Sequence, residues 1–131
     1  MSQLASADSN DALPAAALSK QADVPQHYLS KIMRKLVAAK LASATKGPGG
    51  GFRIARPPST IRFLDIMAAV GEEPVPDHCA FGWGRCDFRA PCPMHPAFTK
   101  LNEEVWRWAT STTLGEVRST GALRRRRRAR R

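Results

Sequence analysis

Cys79, Cys86, Cys92 and His95 fall within 17 consecutive residues, with six, five and two residues between them in turn. Thiolates are soft ligands that suit zinc or an iron–sulfur cluster rather than calcium or magnesium. A zinc knuckle usually gathers its ligands in pairs separated by about two to four residues. The gaps of six and five here are wider than that. Iron–sulfur clusters tolerate wide gaps, because each iron sits at a different corner, and mixed Cys/His ligation occurs. His78 adjoins Cys79, but an imidazole in a polar loop is more often simply solvated. On the residues alone a cluster, a structural zinc and free thiols all stay open.

A second group of residues suits phosphate rather than metal. Lys46-Gly47-Pro48-Gly49-Gly50-Gly51 is a dense turn signal, and Arg53 follows it closely. Glycines such as Gly49 and Gly50 let the backbone approach a phosphate and expose N–H groups to it, while Lys46 and Arg53 add charge. No Lys-Ser/Thr follows the glycines, so the run is not a nucleotide-binding loop. Just upstream, Gln26, His27, Ser30, Lys31, Arg34 and Lys35 crowd the polar side of an apolar-periodic stretch. Residues 20–62 as a whole carry nine basic side chains against Asp23 alone. A positive face of that kind attracts phosphate backbones. Catalysis finds no foothold: no nucleophile–base pair, acid pair or Cys-x-x-Cys is visible.

The elements that must position these residues can be read from periodicity. Pro14 can open a short helix over 15–21, because proline is tolerated in a first turn. After a break at 22–25, a second helix over 26–39 places Leu29, Ile32, Met33, Leu36 and the stem of Lys40 on one face. Helix, short turn and amphipathic basic helix outline a helix-turn-helix, whose second helix enters the major groove. Two short strands, 41–44 and 52–55, flank the glycine-rich loop and make a wing. Ser59 or Thr60 is placed to cap a further helix reaching about residue 70, with Phe63, Ile66, Met67 and Val70 inward. Periodicity then fails across the cysteine-bearing stretch, which is long for a loop and needs something other than a core to organise it. A last helix over 96–111 carries Phe98, Leu101, Val105, Trp108 and, just beyond it, Thr112 at alternating spacings of three and four, the seam of helix–helix packing, with Trp106 widening the stripe.

The 131 residues carry a net charge of +10 and no apolar run long enough for a membrane span. An odd number of cysteines cannot all pair within one chain, which points to a reducing, cytoplasmic setting. Residues 124–131 hold seven arginines. Such a like-charge run repels itself and is expected to be disordered. It also raises the alternative of a nonspecific nucleic-acid binder driven by the tail.

These stretches together resemble the Rrf-two family of bacterial winged-helix regulators, in its IscR-like and NsrR-like, cluster-bearing branch. The matching runs are Val24-Pro25-Gln26-His27-Tyr28-Leu29-Ser30-Lys31-Ile32-Met33-Arg34-Lys35-Leu36, Ser43-Ala44-Thr45-Lys46-Gly47-Pro48-Gly49-Gly50-Gly51-Phe52, Ala55-Arg56-Pro57-Pro58, Ile61 through Val70, the Cys79, Cys86, Cys92-Pro93-Met94-His95 loop, and the Trp-bearing helix ending in Thr113-Leu114. The resemblance implies a mainly α fold with a β-hairpin wing, a cysteine-rich cluster loop and a C-terminal dimerisation helix. It further implies a homodimer on pseudo-palindromic double-stranded DNA, repression of transcription, and a 2Fe–2S or 4Fe–4S cluster on Cys79, Cys86 and Cys92, with His95 as fourth ligand. Members of the family open with a longer, aromatic and Ala/Leu-rich first helix, which residues 1–13 do not match. The expected organisation is therefore an irregular lead-in over 1–13, a winged helix-turn-helix over 14–71, a cluster loop over 72–95, a dimerisation helix over 96–117 and an arginine-rich tail over 118–131. The alternatives are a zinc-structured or cluster-free DNA-binding regulator, or a truncated and partly non-functional family member.

Overall fold

Two prolines mark the starts of two helices near the beginning of the chain. Pro14 and Pro25 stand immediately before helices, where a missing N–H costs no hydrogen bond. In a computed structural model, which describes residues 1–7, 11–72, 78–82 and 84–119, the element order is α1 (Ser2–Ser6), α2 (Ala15–Ala22), α3 (Gln26–Ala38), β1 (Ala42–Thr45), β2 (Gly51–Ile54), a 3₁₀ turn (Pro58–Thr60), α4 (Phe63–Val70), α5 (His95–Ser111) and α6 (Leu114–Ser119). The α2–α3 turn is held by Asp23 in the left-handed conformation, at φ 58°, and by the Ser19 hydroxyl donating to Val24 O at 2.6 Å. Met33 and Leu36 of α3 are buried, with Leu29 and Ile32 packed beside them. Lys40 does not extend that stripe. α3 ends at Ala38, and Lys40 is exposed in the left-handed conformation, at φ 57°.

The wing is an antiparallel pair in the register Ala42↔Ile54 to Thr45↔Gly51. Leu13 adds a bridge on its other edge: Leu13 N–H donates to Phe52 O and Phe52 N–H to Leu13 O, both at 2.9 Å. This contact requires the glycine at 51, because a Cβ there would lie 2.5 Å from Leu13 O, and its φ is 155°.

The first residues are a correction to the irregular lead-in. Leu4 and Ala5 of α1 are buried in the main core with Leu18, Met33, Leu36, Leu41, Ala42, Ile61 and Leu114. α1 packs against α6 and β2. Five residues make too short a helix to be stable in isolation, so α1 is held by tertiary packing. The expected cap at Ser59 or Thr60 is also corrected. Those residues lie in the 3₁₀ turn, and α4 starts after Arg62, whose N–H donates to the Asp65 carboxylate at 2.9 Å. Arg62 reaches the same carboxylate at 2.7 Å through its guanidinium.

The stretch 96–117 is not one helix. α5 stops at Ser111, and Thr112–Thr113 run beside the start of α4: Phe63 N–H donates to Thr112 O at 3.1 Å, and Leu114 N–H to Ile61 O at 2.8 Å. α6 then turns Leu114 into the core, and Gly115 rests on Ser59 so closely that a Cβ would lie 3.0 Å from the Ser59 backbone. The C-terminal end of α5 is thus fastened to the winged-helix body. Residues 118–119 of the expected tail belong to α6, and its arginine run lies outside the described residues.

Candidate nucleic-acid interface and cysteine loop

On α3, Gln26, His27, Lys31 and Arg34 are exposed. Ser30 is half-buried, and its hydroxyl donates to Gln26 O at 2.8 Å, one turn back. Lys35 departs from this group, because its Nζ donates to Val70 O at the end of α4, at 2.7 Å. Tyr28 is 53% exposed at the start of the same helix and was missed by the charge-based reading. Its spacing from Lys31 and Lys35, three and seven residues on, was the available signal.

α3 and the wing are joined by main-chain bonds, with Leu41 N–H donating to Leu36 O at 2.9 Å and Ala55 N–H to Leu41 O at 3.2 Å. Lys46 and Gly49 are exposed in the loop between the strands. Gly50 has an internal reason to be glycine: a Cβ there would meet Thr45 O at 2.4 Å. Arg53 is half-buried on β2, and its Nη1 donates to Thr45 Oγ1 at 3.1 Å, bracing the two strands. Lys46 therefore offers the more accessible cation of the wing pair.

The described part of the cysteine segment contains a tight turn at Cys79. Cys79 N–H donates to Gly84 O at 2.8 Å, Gly82 N–H donates to Cys79 O at 3.0 Å, and Phe81 N–H donates to Cys79 Sγ at 3.4 Å. An isolated bridge pairs His78 with Arg85, across that turn. Cys79 and Cys86 are half-buried, Cys92 is exposed, and none of the three is in a disulfide. The start of α5 anchors the far end of the segment, with His95 N–H donating to Cys92 O at 3.0 Å. The His95 ring meets Phe88 edge-on, at 5.3 Å between centroids. Among the described residues no three His, Cys, Asp or Glu side chains converge as a metal-binding group. The donor set fits a soft metal by its chemistry, and the fold ties its last two members together, but it does not gather all four.

Along α5, Leu101 and Trp108 are 57% and 47% exposed, and Trp106 is exposed beside them. Phe98 and Val105 are half-buried. Trp108 stacks at a tilt on Phe63 of α4, 4.8 Å between ring centroids. No helix among the described residues is long and apolar enough to cross a membrane.

Comparison with known proteins accords with this arrangement. A profile of the Rrf2 family, described as "Iron-dependent Transcriptional regulator", matches residues 1–119. That match includes α1, so the start of the chain is part of the family pattern. The chain is 33% identical over 116 residues to the HTH-type transcriptional regulator IscR of Cereibacter sphaeroides, covering 87% of this chain and 75% of that protein. It is 31% identical over 107 residues to IscR of Vibrio vulnificus, covering 82% of this chain and 63% of the relative, less than two thirds of its length. Among solved structures, CymR, described as the global cysteine regulator of B. subtilis, superposes with a TM-score of 0.72 at 18% identity, over 91% of this chain and 87% of that one. T. potens IscR gives 0.68 at 19% identity, over 92% and 78%. At these identities the structural likeness establishes the winged-helix fold.

Proposed function

Because the chain belongs to the Rrf2 family of transcriptional regulators, which are not enzymes, we propose that it is a cytoplasmic repressor that binds a pseudo-palindromic operator as a homodimer and responds to an iron–sulfur cluster. The observation that carries the reading is the pairing of an exposed basic groove helix with a glycine-rich wing, ahead of a segment holding three cysteines outside any disulfide. Lys31 and Arg34 of α3 and Lys46 of the wing would hold phosphates. Gln26, His27 and Ser30, at the end of α3 that enters the groove first, would read bases, with Tyr28 beside them.

The apolar stripe of α5 supports the dimer. Leu101 is large and exposed, and Trp108, though it meets Phe63, leaves 47% of its surface open. Pairing α5 with a second copy would remove that surface from water and place two groove helices about one helical turn apart on DNA.

Cys79, Cys86 and Cys92 would hold the cluster, with His95 as fourth ligand; when bound, it supplies a redox- and ligand-sensitive charge and a covalent tie across the segment. This chain's residues do the rest. The turn at Cys79 already directs a backbone donor at the sulfur, and Cys92 is tied to the first residue of α5. Ordering the stretch between α4 and α5 would fix how the DNA-binding half sits on the dimerising half.

The test is an ultraviolet–visible spectrum with iron and sulfide assays on protein purified without oxygen. Visible charge-transfer absorption that disappears in Cys86→Ala is expected, with a weaker and more labile chromophore in His95→Ala. Stoichiometric zinc with no visible absorption would contradict the cluster, as would iron retained after all three cysteines are replaced.

A further inference from the structure

Lys35 is a basic residue of α3 whose partner lies on another helix, whereas Arg34 Nε donates to Ser30 O within α3 at 3.4 Å. The last carbonyls of a helix have no partner inside it. At the end of α4, Glu72 N–H takes Met67 O at 2.9 Å and Gly71 N–H takes Ala68 O at 3.1 Å. Val70 O receives the Lys35 ammonium at 2.7 Å, from 35 positions earlier in the chain. The charge also lies at the negative end of the α4 dipole, where a cation is favoured. Val70 is the last residue of α4, and the chain passes from it through Gly71 and Glu72 toward the cysteine segment. One side chain thus ties the groove helix to the point from which that segment departs.

We propose that Lys35 is a positioning residue rather than a phosphate contact: it couples the end of α4, and with it the order of the cysteine segment, to the DNA-reading helix. The inference rests on the reading of the chain as a DNA-binding regulator. Lys31 and Arg34, exposed on the same helix, carry the phosphate contacts instead. Coupling of this kind is reciprocal. A change in order beyond Val70 shifts α3, and DNA held on α3 must in turn steady the end of α4.

The reciprocal direction gives a test that needs no cluster. The probe is the duplex that the wild-type protein selects from a random pool, used with full-length, metal-free, reduced protein. Amide hydrogen exchange is followed at Gly71 and Glu72, and the salt dependence of binding is measured in parallel. DNA is expected to slow exchange at both amides in the wild type, by about 2- to 10-fold if a single hydrogen bond carries the coupling. Lys35→Met should lose that slowing and keep the wild-type salt slope, whereas Lys35→Arg, which retains a donor, should restore it. Lys31→Met should do the opposite, keeping the slowing while its slope becomes shallower by about 0.9. A slope shallower by about 0.9 in Lys35→Met, or unchanged slowing at Gly71 and Glu72 in that variant, overturns the proposal. Both readouts are taken without metal, so a protein that never carries a cluster would contradict the cluster reading and leave this result standing.

Discussion

Individual side chains divide into those aimed outward and those used by the fold. Lys46 is exposed in the wing loop, whereas Arg53 braces the two strands through Thr45. Lys46→Ala should therefore weaken binding to all duplexes alike and flatten the salt slope by about 0.9, with no change in melting temperature. Filter binding at several salt concentrations and a thermal melt check both halves. Asp65 is used by the fold, through Arg62. The side-chain hydrogen bond from Arg62 holds Asp65 below the usual carboxylate value against the opposing effect of burial, helped by the Arg62 backbone N–H and the charges of Arg62 and Arg56. A depressed carboxylate contributes stability that is present above its unfolded value and lost as pH falls through the folded one. Asp65→Asn should accordingly melt below the wild type at neutral pH, with the gap closing in acid. Thermal melts across that range, showing a gap that stays constant, would remove the ion pair from the account.

At the scale of elements, what the chain discloses depends on how local the cause is. The inward face of α3 is legible because Met33 and Leu36 repeat at helical spacing, and the wing because glycines and a proline punctuate two short strands. The α4 cap is not legible as Ser or Thr, since Arg62 donates its own N–H to Asp65 three residues on. α1 is the larger omission: five residues carry no detectable period, and Leu4 is buried by packing that includes α6, more than 100 positions away. Lys35 is hidden for the same reason, because its partner lies on another helix. Since α1 completes the core, Leu4→Ala should cost about 2–5 kcal/mol, as for other buried large-to-small changes. Chemical denaturation of the full chain measures this, and a change within ~0.5 kcal/mol, typical of a surface site, would place α1 outside the folded unit.

For the whole molecule, the layout is a winged-helix body with α5 fastened to it at one end and the cysteine segment leading into α5 at the other. The apolar stripe on α5 was readable from its spacing, but its exposure was not, since a seam against another helix of the same chain has the same pattern. Leu101, exposed on that stripe, separates the two cases. Leu101→Asp should convert a dimer to a folded monomer in sedimentation at micromolar concentration. A monomeric wild type, or a dimeric variant, would contradict pairing through α5.

On the proposed function, the state of the segment between α4 and α5 would set how strongly the dimer holds its operator. It is tested most directly by comparing operator affinity of cluster-loaded and metal-free protein at one fixed salt concentration. A coupling of the usual size, 1–3 kcal/mol, predicts affinities differing by ~5–150-fold, with the difference lost in Cys86→Ala. Equal affinities for the two forms would contradict it, leaving a winged-helix DNA binder whose cysteines do not govern its grip.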